Sequence, residues 1–310
     1  MNEVILKFTV PEAFHGVQAK YFLKKRCRIS ARLLASLKRT YLGISREGML
    51  LKATDKIYAG DVIIIKLPQD ENKVIPIEMP LDIRFEDEHI MVVNKPYNMP
   101  VHPTHNHICD TLANGVAFYL TEKDVNTCFR ALNRLDKDTT GLVLIAKHSY
   151  AAAQLAENTE KLYTAVCEGL IENPGTVDAP ISILEGHTIQ RTAGASEGVK
   201  AVTHYKPIKF SNGHTMVECA LETGRTHQIR VHMSYIGHPL AGDDMYGGSL
   251  KYIERQALHC GKISFVHPVS LEKITLTSEI PNDMKNIFSE VYVFAKEKGY
   301  KNVNSVLINS

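Results

Sequence analysis

A short apolar run that directly follows a charged loop constrains this chain more than any other feature. The loop, residues 133–141, reads Asn-Arg-Leu-Asp-Lys-Asp-Thr-Thr-Gly, and the run after it, Leu142–Ala146, reads Leu-Val-Leu-Ile-Ala before Lys147 closes it. So short a run, with β-branched residues and a preceding glycine, predicts a buried β-strand and not a helix. The loop should therefore be fixed to the end of a core strand, which holds it in place while it exposes a reactive side chain.

Asp136, in the middle of this loop, has two interpretations. An aspartate in a polar turn usually accepts hydrogen bonds from backbone amides and so caps the turn, and Asp138 could do the same. Alternatively, Asp136 is a nucleophile or an acid–base catalyst. The loop alone does not decide between the two, and other parts of the chain are needed.

The composition is that of a soluble globular protein with one large domain or two of unequal size. The chain has 310 residues, of which 44% are hydrophobic and 23% charged. No stretch approaches the roughly 20 apolar residues that span a bilayer, and the N-terminus, with an acid at Glu3, lacks the pattern of a secretory signal. The six cysteines include no CxxC pair, which indicates reduced thiols in a cytoplasmic protein. The net charge of +2 by itself identifies no partner.

The segment from Lys24 to Arg39 carries seven basic residues and no acid. Ser30 is expected to cap a helix here. Three leucines would form the apolar face of that helix: Leu33, Leu34 and Leu37. Short strands are expected around it, at 4–10, 41–45, 49–53 and 62–67. The basic face is either a phosphate-binding surface or merely solvated, and the segment alone favours neither.

Two stretches of this N-terminal region, Ile29–Leu34 and Gly60–Ile63, resemble the small RNA-binding domain first seen in ribosomal small-subunit protein four. The resemblance rests on the basic helix and on the Gly-Asp pair before the last strand. It departs at Ser45-Arg46-Glu47-Gly48, where that family usually has a small residue, asparagine and glycine. It implies an α+β RNA-binding domain over residues 1–75. Four cations would contact RNA: Lys24, Lys25, Arg28 and Arg32.

A second, larger domain is predicted over residues 80–310. Residues 69–80 are polar and contain proline, which predicts a linker. Ile90–Asn94 then predicts a buried strand that ends at Lys95 and a proline. Towards the C-terminus, a strand is expected at Val269–Leu276 and an amphipathic helix at Asp283–Lys298.

Three histidines in an irregular loop raise the question of a metal site: His102, His105 and His107. Neutral imidazoles this close could bind zinc, but no cysteine or carboxylate follows at helical ligand spacing. His227 and His232 are five residues apart, not the four of a helical zinc pair. We therefore predict no metal.

Two further stretches are rich in polar side chains. Lys161–Gly169 alternates as a strand does and turns Tyr163 to one face, where the spacing favours simple core packing. In the other stretch, residues 221–233, Thr223 or Thr226 would cap a helix that contains Arg230. An arginine with so many polar neighbours is either a phosphate ligand or the partner of a buried carboxylate.

Taken together, three motifs resemble the pseudouridine synthases that modify large-subunit ribosomal RNA. In chain order they are NRLDKDTTGLVLIAK, KLYTAVCEG and ETGRTHQIRVHMSYIGHPLAGDDMYG, within a similarity over about residues 80–280. The resemblance implies an α+β fold with a mixed, mostly antiparallel sheet flanked by helices and loops, where spacing alone supports only α+β. It also implies isomerisation of uridine to pseudouridine, a reaction with no net redox change and no cofactor.

The same resemblance implies roles for individual residues. Asp136 corresponds to the catalytic aspartate, and whether it attacks the anomeric carbon or the base is left open. Arg230 corresponds to the arginine that pairs with this carboxylate, and Tyr163 to the tyrosine that stacks on the target uracil. Because a base inside a duplex is out of reach, the nucleotide must be flipped out, and Arg134 matches the arginine that fills the gap. Three more residues would line or support the pocket: Leu221, Arg225 and His227.

Asn133 departs from the family pattern, which commonly has histidine before the Arg-Leu-Asp sequence. Asparagine keeps a hydrogen-bond donor and an acceptor but does not titrate. No base is therefore expected at this position.

Two other functions compete with this interpretation. An RNA chaperone or ribosome-assembly factor with a vestigial site should have lost Asp136, Tyr163 or Arg230, and all three are present. A metal-dependent hydrolase built on the histidines would carry stoichiometric zinc. The preferred prediction is a monomeric cytoplasmic enzyme without a membrane partner, which acts on RNA: ribosomal RNA first, transfer RNA second.

Overall fold

The computed structural model describes residues 4–68, 74–123, 128–156 and 158–297. Residues 69–73 of the predicted linker and Lys298, at the end of the predicted C-terminal helix, lie outside these ranges. Within them, no helix is both long enough and apolar enough to cross a lipid bilayer.

A small antiparallel sheet with two helices forms the N-terminal part of the chain. Its elements are β1 (Ile5–Thr9), a 3-10 helix (Glu12–Phe14), α1 (Ala19–Lys25), α2 (Ala31–Leu37), β2 (Ile44–Arg46), β3 (Met49–Leu50) and β4 (Val62–Lys66). The strands lie in the order β1-β4-β2-β3. At the start of α2 the Ser30 hydroxyl accepts a hydrogen bond from the Leu33 amide at 3.1 Å, which confirms the predicted cap.

One buried tyrosine ties this small sheet to the rest of the chain. Tyr150 belongs to the apolar cluster of the N-terminal part, with its ring centroid 6.2 Å from that of Phe8. Its hydroxyl donates to the Cys27 carbonyl oxygen at 2.7 Å. Nearby, the Gln154 amide donates to the Arg28 carbonyl at 3.0 Å. The two parts of the chain therefore share a packed, hydrogen-bonded contact.

A second, larger sheet carries the remaining chain. Its region runs through β5 (Ile83–Glu86), β6 (Ile90–Lys95), α3 (Leu112–Glu122), β7 (Arg130–Ala131), β8 (Thr140–Ala146), α4 (Ser149–Ala156), β9 (Thr159–Glu168), β10 (Gly175–Asp178), β11 (Ile181–Ile183), β12 (Arg191–Ala193), β13 (Val202–Ser211), β14 (His214–Leu221), α5 (Gln228–Tyr235), a 3-10 helix (Asp244–Tyr246), β15 (Leu258–Val266), β16 (Lys273–Thr277), α6 (Asn282–Asn286) and α7 (Glu290–Glu297).

The larger sheet is mixed but mostly antiparallel. Its main path is β10-β13-β14-β9-β15-β8-β6-β5, with β16 added beside β15 and β7 beside β8, while β11 and β12 form a separate hairpin. Among the described strands only the β15–β8 pair is parallel. The fold class predicted from the family resemblance is therefore confirmed.

Strand β8 lies in the middle of this sheet and places the charged loop. All of its residues are buried, and it pairs with β15 on one side and β6 on the other. The predicted strand is confirmed. At its start, Gly141 has φ +112°, and a Cβ here would collide with the backbone of Cys260 on β15. A glycine is needed because the two strands approach so closely.

The helix predicted within the third motif begins later than expected and lacks the predicted cap. Neither Thr223 nor Thr226 caps it, because His227, just before Gln228, takes a left-handed backbone conformation with φ 57°. The Thr223 hydroxyl instead accepts from the Val202 amide and donates to the Gln228 side chain. The Gln228 side chain thus organises the turn that the threonines were expected to cap.

The predicted C-terminal helix is also wrong as a single element. It is divided into α6 and α7, because the Ile287 carbonyl accepts from the Asn212 side chain at 3.0 Å and the Ser289 hydroxyl caps the next turn at the Tyr292 amide. Strand β16 begins at Lys273 and not at Val269. Val269 instead packs against the apolar cluster of the N-terminal part.

Candidate active site

Six of the predicted site residues line one cleft, where the charged loop, β9 and the start of α5 meet. They are Arg134, Asp136, Tyr163, Arg225, His227 and Arg230, and Leu221 lines the same space. An adjoining cavity of about 580 Å³ shares part of this lining and extends it along β9. Opposite the charged loop, Tyr163 of β9 and Leu221 of β14 form an apolar part of the wall.

Arg230 holds two carboxylates. Its Nη1 donates to Asp136 Oδ2 at 3.1 Å, and its Nε and Nη2 donate to the two oxygens of Asp243 at 2.6 and 2.8 Å. The Asp243 side chain is fully buried, whereas that of Asp136 is 26% exposed to the cleft. Burial lowers the pKa of Arg230, but hydrogen bonds and the charges of Asp243 and Asp136 outweigh this and raise it. The arginine is therefore a permanent cation fixed by one carboxylate and presented to the other.

His227 forms a second contact with Asp136. Its Nε2 lies 3.8 Å from Asp136 Oδ2, and its Nδ1 lies 2.9 Å from the Tyr246 hydroxyl. That hydroxyl also accepts a hydrogen bond from the Arg191 amide at 2.9 Å, which links the imidazole to the β11–β12 hairpin. Burial lowers the pKa of His227, and the charge of Asp136 opposes this. His227 is therefore held between the Asp136 carboxylate and the Tyr246 hydroxyl.

Tyr163 forms the apolar wall opposite the loop. It is almost fully buried, and its neighbours in register are Cys219 on β14 and Cys260 on β15. Burial, with Cys260 and Asp136 acting in the same direction, raises the pKa of its phenol well above the ordinary value. The ring is thus rigidly held and its hydroxyl stays protonated.

Two exposed arginines stand at the mouth of the cleft. Arg134 donates from Nη2 to the Thr226 hydroxyl at 2.9 Å, and Arg225 donates from Nε to the Lys200 carbonyl at 3.1 Å. The contact between Arg134 and Thr226 joins the charged loop to the turn before α5. Both side chains are otherwise exposed.

Two buried basic side chains, Lys95 and Arg255, donate hydrogen bonds to the backbone of the charged loop. The Lys95 ammonium, 1% exposed, donates to the carbonyls of Pro96, Met99 and Lys137 at 2.8 to 3.0 Å. Burial lowers the pKa of Lys95 to about 7, while Asp138 and Asp136 oppose this. Arg255 donates to the Asp138 carbonyl at 3.2 Å. The two backbone carbonyls directly after Asp136, those of Lys137 and Asp138, are therefore each bound by a basic side chain.

Asn133 has a structural place rather than a chemical one. Its amide nitrogen donates to the Leu142 carbonyl and its amide oxygen accepts from the Leu144 amide, both at 2.9 Å. The side chain thus behaves as an added strand residue beside β8. This geometry requires a donor and an acceptor but no titrating group.

The structure does not bring the N-terminal cations to the cleft. Lys24, Lys25, Arg28 and Arg32 are exposed on and around α1 and α2. In the loop with three histidines, His107 contacts Asp110 at 2.6 Å. Across the described residues, no three histidine, cysteine or acidic side chains are arranged to hold a metal ion.

Several residues of the site were missed by sequence reasoning. They are Lys95, Lys161, Arg191, Asp243, Tyr246 and Arg255. Asp243 and Tyr246 lie within the third motif, so their position there was the available signal. For Arg191 there was none, because it reaches the site from the β11–β12 hairpin, where its charge helps to lower the pKa of His227.

Comparisons with known proteins agree with one another. Residues 89–235 match the family model described as RNA pseudouridylate synthase. Over 268 residues, the chain is 39% identical to the uncharacterized RNA pseudouridine synthase YjbO of Bacillus subtilis, which covers 84% of this chain and 94% of that protein. It is 40% identical over 238 residues to ribosomal large subunit pseudouridine synthase D of Zymomonas mobilis, with 70% and 75% covered.

A solved structure shows the same fold. Human RNA pseudouridylate synthase domain containing 1 superposes with a TM-score of 0.53 at 24% sequence identity, over 64% of this chain and 83% of that one. At this identity the likeness concerns the fold alone.

Proposed function

The chain belongs to the family of RNA pseudouridine synthases, and we propose that it acts on uridine in large-subunit ribosomal RNA with Asp136 as its nucleophile. Similarity to proteins named ribosomal large subunit pseudouridine synthase, at 34% to 40% identity in species of several genera, supports the substrate class. One observation carries the chemical assignment: Asp136 Oδ2 lies 3.1 Å from Arg230 Nη1 in a cleft walled by Tyr163.

The proposed reaction is an isomerisation, so the protein need not supply an oxidant, a reductant or an activated water. The bond between N1 of uracil and C1′ of the ribose breaks, the base turns, and C5 joins C1′. C5 loses its proton and N1, which carried none in uridine, gains one, so atoms and electrons balance without an oxidant, a reductant or attacking water. A second carboxylate that activates water, as in glycoside hydrolases, is not required. We therefore propose a cofactor-free mechanism.

Asp136 suits the role of the nucleophile because of its surroundings. It is open to the cleft, whereas the other carboxylate on Arg230, Asp243, is fully buried. Arg230 and His227 both face Asp136, and the hydrogen bond from Arg230 fixes the direction of its carboxylate. An oriented carboxylate that is open to the substrate suits covalent attack on the nucleotide.

Tyr163 would hold the base. A buried aromatic ring on a central strand gives a flat, rigid surface for a uracil beside Asp136. A uridine inside a helix must leave the stack to reach it. We propose that Arg134, exposed at the mouth of the cleft, fills the vacated position, and that Arg225, His227 and Leu221 line the pocket.

The N-terminal part would serve as a tethered RNA-holding domain over residues 1–75. Four exposed cations support this, and for none of them does the structure describe a carboxylate partner: Lys24, Lys25, Arg28 and Arg32. Through Tyr150 and Gln154 this part is packed against the larger one, so an RNA held there would be at high local concentration for the cleft.

The test is tritium release from RNA labelled at C5 of uridine, because only attachment of C5 to the ribose displaces that hydrogen. Unmodified transcripts of large-subunit ribosomal RNA and of transfer RNAs are offered separately to the wild-type protein. Release from the ribosomal transcript alone is expected. Release only from transfer RNA would overturn the substrate class, and release from neither would overturn the proposed activity.

A further inference from the structure

Lys161 is the one lysine on the wall of the cleft extension, and in the described structure its ammonium has no hydrogen bond or ion pair. The other buried lysines differ. Lys95 donates to three carbonyls, and Lys147 donates to the Glu86 carboxylate and the Asp87 carbonyl. A half-buried cation without an acceptor is costly, and proteins usually provide a partner unless a ligand supplies it.

The strand geometry directs this side chain into the cleft. Residues two apart on a strand share a face, and Thr159, Lys161 and Tyr163 of β9 all line the cavity of about 580 Å³ together with Asp136. Strand β14 pairs with β9 only as far as Leu162. Beside Lys161 the pairing with β14 has therefore ended, and Lys161 lines the cavity at this end of the strand.

The charges around Lys161 leave it available to an anion. Burial lowers the pKa of Lys161, the Cys260 thiol opposes this, and no carboxylate of the described residues contributes. Asp136 is already paired with Arg230. On β15 the neighbour of Lys161 in register is Ile263, which is fully buried, so that side of the ammonium is apolar.

We propose that Lys161 binds a phosphodiester of the RNA next to the flipped uridine. This rests on the proposed function, which puts the uracil on Tyr163 and the ribose near Asp136. Two residues along a strand span roughly 6.6 Å, a distance comparable to that from a ribose to its own phosphate. The RNA backbone leaving the pocket must then pass the Lys161 ammonium, which supplies the strong, charge-assisted contact that a phosphate accepts.

The first test uses the RNA transcript that releases tritium with the wild-type protein. Lys161→Met keeps the length of the side chain and removes its charge, and Lys161→Arg keeps the charge. Lys262→Met is the matched control, since Lys262 is an exposed lysine on β15 whose neighbour in register, Leu162, points to the opposite face from Lys161. We expect Lys161→Met to weaken RNA binding roughly tenfold or more and to lower the slope of log affinity against log salt by about 0.7 to 0.9.

Lys161→Arg should keep the wild-type slope, as should Lys262→Met. A wild-type slope in Lys161→Met, or an equal loss in the control, would overturn the assignment. If the wild-type protein released no tritium from any RNA, the proposed function would fail, while the salt slope on the tightest-binding transcript would still decide on Lys161.

A second test locates the phosphate. Once the modified uridine is mapped, a synthetic RNA carries an uncharged methylphosphonate on one side of it or the other. At one of the two positions the neutral linkage should slow the wild-type reaction by the same factor as Lys161→Met, and should slow that variant no further. If, at both positions, the neutral linkage slowed Lys161→Met by the same factor as it slows the wild type, the two losses in rate would multiply. Lys161 and these phosphates would then act independently.

The stability of Lys161→Met distinguishes a role of Lys161 in RNA binding from a role in the fold. Because the ammonium has no partner in the free protein, Lys161→Met should unfold at the same or a higher urea concentration than the wild type. A lower unfolding midpoint would indicate that Lys161 supports the fold.

Discussion

Arg230 and Asp243 form a two-pronged ion pair, with Nε and Nη2 of the guanidinium at 2.6 and 2.8 Å from the two carboxylate oxygens. The Asp243 side chain is fully buried, so this pair orients the third donor, Nη1, towards Asp136. One guanidinium thus serves two carboxylates, and only one of these faces the cleft. The position of Arg230 therefore depends on Asp243, which does not line the cleft itself.

The first prediction follows from that pair. Asp243→Asn keeps the size of the side chain but leaves the buried guanidinium with one carboxylate, so unfolding free energy should fall by about 2–4 kcal/mol. The tritium-release rate at saturating enzyme should fall as well, because Arg230 is freer to move. Urea denaturation and single-turnover kinetics measure the two effects.

The neighbouring Asp244→Asn is the control, since Asp244 is exposed and is not part of the pair. It should leave stability and rate near the wild-type values. An Asp243→Asn protein that matched this control would contradict the role given to the ion pair.

The second prediction concerns Asn133. Asn133→Ala leaves the Leu142 carbonyl and the Leu144 amide without partners in the core, which should cost about 2–3 kcal/mol of unfolding free energy. Because the same hydrogen bonds fix the start of the charged loop, activity should decline with stability.

Asn106→Ala, in an exposed loop, is the matched control and should change neither. Wild-type stability for Asn133→Ala, measured by urea denaturation, would show that Asn133 does not brace β8.

The third prediction is a pH dependence at the contact between the two sheets. Burial, with smaller contributions from His89 and Arg130, lowers the pKa of His148 to about 3 from an ordinary 6.5. Below pH 6.5, His148 binds a proton in the unfolded chain but stays neutral in the folded chain until the pH approaches 3. The stability that His148 contributes is thus complete above pH 6.5 and is lost as the pH falls towards 3, by about 1.4 kcal/mol per unit.

In the wild type, His148 Nδ1 accepts a hydrogen bond from the Ala151 amide at 3.1 Å. His148→Asn removes the titrating group and keeps a side-chain acceptor for this amide. Its unfolding free energy should decline less steeply below pH 6.5 than that of the wild type. Parallel curves for the two proteins, recorded by urea denaturation at a series of pH values, would be evidence against a neutral buried His148.

The fourth prediction concerns the N-terminal cations. Replacing Lys24, Lys25, Arg28 and Arg32 by alanine should weaken RNA binding and flatten its salt dependence, by about 0.7 to 0.9 in slope for each phosphate that the protein no longer binds. The reaction rate at saturating enzyme should not change, because these residues lie outside the cleft. Side-chain replacement is preferable to deletion of residues 1–75, which would expose Tyr150. An unchanged salt slope would contradict the RNA-holding role.

The sequence was sufficient for the features that depend on local order. The apolar run after Gly141 predicted β8, and Ser30 predicted the start of α2, since both signals lie within a few residues of the structure they specify. The motifs also predicted Tyr163 and Arg230 as neighbours of Asp136. They could not show that Arg230 is shared with Asp243, because that pair depends on how α5 and the following turn pack.

Other parts of the site depend on contacts distant in sequence. Lys95 was visible as the lysine that ends a strand, but its acceptors include the carbonyl of Lys137, far along the chain. The caps predicted at Thr223 and Thr226 were wrong because His227 has a left-handed backbone conformation, so the helix begins only at Gln228. No local sequence pattern predicts that conformation. The unpaired state of Lys161 likewise appears only once β9 and β14 are placed side by side.

The sharpest test of Asp136 as the nucleophile compares wild type and Asp136→Asn at equal RNA occupancy in single-turnover tritium release. The substitution removes a nucleophile and no phosphate contact, and Asn can still accept a hydrogen bond from Arg230. RNA affinity should stay within about twofold of wild type while release falls by at least about a thousandfold. Substantial release by Asp136→Asn, at a rate near that of wild type, would show that another group carries out the reaction.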